Sequence, residues 1–171
     1  PYATWAKLSK EIMYSQPDLI YPGNQQGDFC LRQAIADYLH KYRSVHCTAS
    51  QIIVGAGIEY LLMILNVLFD SDSLFAMENP GYPKVYQTIT NCGRTVEPID
   101  VTDTGIDIVA LEQSKADIVY VTPSHQFPTG VVMPIGKRLE LLRWADEKPN
   151  RFVIEDDYDS ELKFTGKPIP S

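Results

Sequence analysis

The sequence predicts an α/β fold of three layers, a mostly parallel sheet flanked by helices. Three observations carry this. Short β-branched or apolar runs alternate with longer segments at helical spacing, which implies crossover connections between parallel strands. Ile118 to Val121 is apolar throughout and bounded by Asp117 and Pro123, the mark of a strand buried on both faces. Four of the runs stop at strings rich in Gly, Pro, Tyr or acid, and ligands of open parallel sheets bind at the carboxyl ends of strands.

The elements follow in chain order. Tyr2 to Met13 reads as a helix, with Trp5, Leu8 and Ile12 near helical spacing. Tyr21-Pro22-Gly23-Asn24-Gln25-Gln26-Gly27 is turn-rich and reads as loop. A long amphipathic helix follows, with Leu31, Ile35, Tyr38, Leu39 and Tyr42 on its apolar face. Thr48-Ala49-Ser50-Gln51 has capping-box spacing and predicts a short helical turn. Ile52-Ile53-Val54 reads as a short strand stopping at Gly55-Ala56-Gly57, and a helix runs from about Ile58 to Phe69. Ser73 to Met77 is the next strand and Pro83 to Asn91 the next helix, ended by Cys92-Gly93. Thr95 to Ile99 is a strand, Asp103-Thr104-Gly105 a turn, Ile135 to Glu147 a helix and Phe152-Val153-Ile154 the last strand. Gly166 to Ser171 reads as loop.

Composition narrows the function. The 171 residues are 44% hydrophobic and 22% charged, which is globular and not disordered. Fifteen Lys and Arg against 22 Asp and Glu leave a net charge of −7, unsuited to direct contact with duplex DNA. The longest apolar run, Leu61 to Phe69, is broken by Asn66 and is too short for a bilayer, so no membrane role is expected. The N-terminus has no basic region followed by an apolar stretch, so no signal peptide is expected. Cys30, Cys47 and Cys92 are odd in number and lack CxxC spacing, which predicts free thiols in a reducing, cytoplasmic compartment and no structural metal.

The strand-end strings are where chemistry is expected. Gly55-Ala56-Gly57 precedes a helix, where exposed N–H groups and the helix dipole favour an anion. By itself the string reads first as a tight turn. Asp156 and Tyr158 lie two apart beyond a buried strand, so extended backbone points both the same way. They could grip adjacent polar positions of a heteroaromatic ring, or belong to a solvated acidic loop. Tyr82, after Pro80-Gly81, can lie flat on a planar ligand or fill the core. His125 is the one histidine in such a string, and a lone His is weak evidence for a metal.

Three longer strings carry a resemblance: Glu78-Asn79-Pro80-Gly81-Tyr82-Pro83; Thr122-Pro123-Ser124-His125-Gln126-Phe127-Pro128-Thr129-Gly130; and Ile154-Glu155-Asp156-Asp157-Tyr158-Asp159-Ser160-Glu161. In this order they resemble the large domain of fold-type I pyridoxal 5′-phosphate (PLP) enzymes. The likeness is greater still to the aminotransferase-like domain of MocR-type regulators of the GntR superfamily, and it covers Trp5 to Ser171. It implies PLP as cofactor. Asp156 would face the protonated pyridine nitrogen, Tyr158 the 3′-oxygen and Tyr82 the ring face, with Ala56, Gly57 and Ile58 offering N–H groups to the phosphate. Tyr21 would reach the phosphate of a neighbouring subunit, which implies a homodimer. Lys84 lies near a position that touches a substrate carboxylate.

The sequence also departs from that family. Phe127 stands where ordinary aminotransferases have an Asn that bonds the 3′-oxygen, so His125 or Gln126 takes over or the bond is missing. The phosphate loop lacks the usual Ser or Thr. None of the nine lysines has the Ser-x-Ser-Lys context of the Schiff-base lysine. Residues 1–171 are therefore expected to be a partial large domain, without an N-terminal winged helix or a C-terminal small domain, and with no catalytic residue of their own. The expected function is a PLP- or effector-binding module whose effector is PLP or a small amino compound. DNA would be reached only through the missing domain. The alternatives are a fragment of a genuine class I/II aminotransferase and an inert fragment.

Overall fold

A computed structural model describes residues 1–159. The chain divides into two compact units, Pro1–Lys41 with His46–Val54, and Tyr42–Val45 with the remainder from Gly55.

The first unit holds helix α1 (Tyr2–Ser15) and helix α2 (Phe29–Tyr38). The periodicity of α1 is as expected, but none of its residues is buried, and Trp5 is 73% exposed. On α2 the expected apolar face is corrected. Leu31 is exposed, while Arg32 and Ala36 are the buried residues. Arg32 is buried because backbone carbonyls solvate it: Nε donates to Gly27 O at 2.8 Å and Nη1 to Ala49 O at 2.6 Å. A guanidinium so placed satisfies polar backbone that an aliphatic side chain would leave unbonded. The Thr48–Gln51 turn forms as its spacing predicts, with Thr48 N–H donating to Gln51 Oε1 at 3.0 Å. Ile52-Ile53-Val54 is corrected too. These residues form no strand, because Val54 N–H bonds to Gln26 O at 2.9 Å in the preceding loop and Ile53 and Val54 remain partly solvated.

The second unit is the sheet and its helices. Its order is β3-β2-β1-β4-β5, built from β1 (Phe75–Asn79), β2 (Val96–Thr102), β3 (Gly105–Ile106), β4 (Ile118–Val121) and β5 (Phe152–Glu155). Strands β2, β1, β4 and β5 run parallel, and only the short β2–β3 hairpin is antiparallel. The four longer strands match the four runs expected downstream of Phe69, shifted by up to three residues at their ends. The hairpin replaces the plain turn expected at Asp103–Gly105.

Side-chain alternation divides the core between two faces. On one face Phe75, Met77, Ile118 and Tyr120 meet Leu62 of helix α3 (Ile58–Leu68) and Val85 and Ile89 of helix α4 (Pro83–Asn91). On the other, Ala76, Val119 and Val121 meet Ile108 and Leu111 of helix α5 (Ile108–Gln113) and Leu141 and Trp144 of helix α6 (Ile135–Asp146). Helix α5 gives too short a periodic signal to be expected from sequence; the Asp107 carboxylate starts it, accepting from Val109 N and Ala110 N. Arg94 closes α3 at its far end. Its guanidinium donates to the carbonyls of Asn66, Phe69 and Asp70, and so satisfies terminal acceptors the helix cannot.

The turn after β1 admits no side chain at Gly81. A Cβ there would lie 2.4 Å from the Glu78 carbonyl oxygen and 3.0 Å from Met77 Cε. Because the nearer obstacle is backbone, Gly81→Ala is expected to destabilise the protein by about 1–3 kcal/mol. Urea unfolding midpoints of the variant and the wild type check this.

Candidate functional site

Three strand ends and one helix start meet at the carboxyl edge of the sheet. Tyr82 caps the N-terminus of α4, directly after the β1 turn. Its ring stacks on Phe127 at 4.1 Å and 9°, and meets Tyr158 edge-on at 5.4 Å. His125 lies 5.6 Å from Tyr158, ring to ring. At the start of α3, Glu59 pairs with Lys84 of α4 at 3.9 Å, which brings the Gly55–Ile58 loop to the same edge as Tyr82. Of the residues singled out from sequence, the structure thus gathers Ala56, Gly57, Ile58, Tyr82, Lys84, His125, Asp156 and Tyr158 on one rim. Tyr21 belongs to the other unit, follows the helical turn Pro17–Ile20 and is exposed.

Asp156 is fixed at two points. Its N–H donates to Val121 O at 2.9 Å, continuing the β4–β5 ladder by one step. Its Oδ2 accepts a short hydrogen bond from the Tyr120 hydroxyl. Tyr120 is buried and pairs in register with Ile154, so parity puts Tyr120, Ile154 and Asp156 on the same face as α3 and α4. Burial pushes the Asp156 carboxyl above the usual range; the Tyr120 bond opposes this and the neighbouring Asp157 charge adds to it. Burial, and then a bond with Tyr82, hold the Tyr158 phenol above its ordinary value, so it stays protonated and able to donate.

The loop before α3 is built for glycine. A Cβ on Gly55 would lie 2.6 Å from Leu61 Cδ2, and Gly57 takes a φ of 98° that side chains rarely adopt. Only from Leu61 onward does the helix use its own N–H groups (Leu61 N to Gly57 O, 3.2 Å), which leaves the first turn open to an acceptor. Glu59 in that turn competes for the same dipole, and Lys84 offsets its charge. Among the described residues Lys84 therefore contacts a carboxylate of the chain itself.

Of the two polar side chains considered in place of the missing Asn, one is engaged elsewhere. Gln126 is not available. It is buried, its Nε2 donates to Pro80 O at 2.8 Å and Phe127 O at 2.6 Å, and its Oε1 accepts from Thr129 N and Oγ1. His125 is exposed beside Tyr158.

Four features of the site were missed from sequence. Tyr120 was hidden in an apolar run, although strand parity alone sets it opposite Asp156. Phe127 packs on Tyr82, where the sequence showed only a lost hydrogen bond. Arg43, 1% exposed, pairs with Asp157, and nothing near Arg43 announces this. Glu78 is buried beneath the rim, its Oε2 accepting from Thr122 N at 3.0 Å and Thr122 Oγ1 at 2.7 Å.

Against that geometry the comparisons are specific. Residues 2–160 match the family model for aminotransferase class I and II. The chain belongs to the aminotransferase class I and II family. Over its whole length it is 41% identical to the HTH-type transcriptional regulator YdeL of Bacillus subtilis, and 36% identical to the probable rhizopine catabolism regulatory protein MocR of Rhizobium meliloti. It spans 37% and 35% of those two proteins, little more than a third of their length. Among solved structures, kynurenine aminotransferase of Pyrococcus horikoshii, in complex with PMP, overlays on all of the chain at a TM-score of 0.87 and 26% identity, with 45% of that enzyme covered. The fold is thus a part of the large domain of PLP-dependent aminotransferases, and the chain is an aminotransferase-like domain homologous to MocR-type regulators. Among the described residues, no helix is long and apolar enough to cross a membrane. Ser160, Glu161, Lys163, Lys167 and the Gly166–Ser171 loop lie outside the described residues.

Glu78 yields a pH prediction. Burial raises its carboxyl above the ordinary range, against hydrogen bonds from Thr122 that lower it. Between the ordinary carboxyl range, about pH 4.3, and the raised value, the folded chain holds a proton that the unfolded chain has lost. This contribution to stability is therefore present in full below that window and is lost as pH rises through it. Glu78→Gln is expected to flatten that decline, measured as urea midpoints against pH; parallel curves would show that Glu78 does not titrate in this way.

Proposed function

We propose that this chain is the PLP-holding, effector-sensing domain of a MocR-type transcriptional regulator. The observation that carries the reading is the grouping of Asp156, Tyr158 and Tyr82 beside an open helix start. That set suits the parts of a phosphorylated pyridine: an acid for the ring nitrogen, a phenol for the ring oxygen, an aromatic plane, and backbone donors for the phosphate. The whole-length identity to YdeL and MocR supports the regulatory half.

Each residue has a task. Asp156 holds a protonated ring nitrogen by charge and hydrogen bond. Tyr158 turns its hydroxyl from Tyr82 to the ring 3′-oxygen, with His125 as the second polar group there. Tyr82 offers one ring face, the other being covered by Phe127. Ala56, Gly57 and Ile58 give N–H groups to the phosphate, which leans on backbone because the loop has no Ser or Thr. When bound, PLP supplies an electrophilic carbon that captures amino compounds, so the effector is PLP itself or its adduct with a small amine. Tyr21 reaches the phosphate of a second copy in a homodimer. Ligand-dependent contacts at this rim bias the dimer between two arrangements, and a winged helix elsewhere in the regulator contacts DNA in the cytoplasm. A genuine aminotransferase is the second reading, favoured by the likeness to kynurenine aminotransferase. In either case the Schiff-base lysine and the small domain come from sequence beyond this domain.

Pyridoxamine 5′-phosphate (PMP), which needs no lysine to bind, tests the site by calorimetry. Asp156→Asn is expected to weaken PMP binding about 10- to 100-fold, the worth of a charged hydrogen bond. Equal affinity in variant and wild type would overturn the assignment of Asp156 to the ring nitrogen.

A further inference from the structure

We propose that Tyr120 is the positioning residue for Asp156. Its buried hydroxyl takes Oδ2 and leaves Oδ1 to meet the ring nitrogen of a bound pyridine. The proposal rests on the cofactor reading above and assigns a role to a residue that would touch no ligand.

Geometry supports it from two directions. The backbone of Asp156 is held by Val121 and its side chain by Tyr120, so adjacent residues of β4 fix both ends of one short residue. An aspartate has two side-chain torsions, and these two anchors leave little freedom to either. Among the described residues Oδ1 has no hydrogen bond, which leaves it for a ligand. Packing alone does not call for the hydroxyl. Tyr120 is 1% exposed among Phe75, Met77, Ile118 and Ile154, where a phenylalanine would bury as well without a polar atom to satisfy. The cost of burying a phenol beside an acid is offset only if the two bond each other.

The electrostatics have a consistent sign. Charged or titratable groups face this pair from three elements: Glu78 from β1 and Tyr82 from the start of α4 act on Tyr120, and Asp157 acts on Asp156. Burial, these neighbours and Asp156 hold the phenol in its protonated form, so it acts only as a donor. A permanent donor at Oδ2 favours the anion against burial and against Asp157, and an anion is what a protonated ring nitrogen requires.

Tyr120→Phe removes the donor and keeps the shape. Two readouts are taken on the protein: the Asp156 titration midpoint by carboxyl carbon NMR without ligand, and affinity for PMP and for its 1-deaza analogue, which has carbon in place of the ring nitrogen. The midpoint is expected to rise in Tyr120→Phe. Affinity for PMP is expected to fall about tenfold near neutral pH, with that for the deaza analogue unchanged. An unmoved midpoint, or equal losses for both ligands, overturns the positioning role. If Asp156→Asn binds PMP as tightly as wild type, the cofactor reading falls and this proposal with it. Loss on Asp156→Asn with wild-type behaviour of Tyr120→Phe overturns the positioning role alone.

Discussion

Parallel pairing is the constraint from which the site follows. Strands β1, β4 and β5 point the same way, so each delivers the residue after its last rung to one edge of the sheet. The turn after β1 supplies Tyr82, the segment after β4 supplies His125 and Phe127, and the segment past β5 supplies Asp156 and Tyr158. These positions are up to 76 residues apart in sequence, from Tyr82 to Tyr158, yet the rings of those two tyrosines touch. An antiparallel partner in the middle of the sheet would send one of these loops to the opposite edge. The helical crossovers are what such pairing demands, and α4, between β1 and β2, carries out that task while also presenting its own N-terminus to the rim.

Beneath the rim, polar residues are held by other polar residues. Tyr120 meets Asp156, Glu78 meets Thr122, Arg43 meets Asp157, and Gln126 joins Pro80 and Phe127 with its amide while Thr129 donates to its oxygen. Each pairing ties a loop to the strand ends by directional bonds, which fix geometry more narrowly than apolar contact does. A hydrophobic filling would suit stability as well or better. Its absence just where the strands end fits a place that must present a few atoms accurately.

Much of this was legible in the sequence, for identifiable reasons. Ile118–Val121 could hardly be anything but a buried strand, and Pro83 through Asn91 announced a helix by its starting proline and its Cys92-Gly93 stop. The strings at the strand ends announced the rim because Gly, Pro and acid rarely cluster there without cause. What stayed hidden depended on partners far along the chain. Ile52–Val54 has every local sign of a strand, yet its backbone is taken by Gln26. The α2 face was misjudged because a charged residue, Arg32, found carbonyls to solvate it, which no hydrophobic scale anticipates. Arg43 and Tyr120 were invisible for the same reason: a buried ion pair or phenol declares itself only through the residue it meets.

The guanidinium that fastens α3 has a reach beyond its own neighbourhood. Eleven residues at about 1.5 Å each put roughly 16 Å of rigid rod between Arg94 and the glycine loop. Anchored at the tail by Arg94 and packed along its length through Leu62, that rod carries the backbone donors at its other end, where Glu59 meets Lys84. Small errors of angle at the clamp become displacements at the tip, so the aim of the glycine loop is governed in part from the opposite side of the domain.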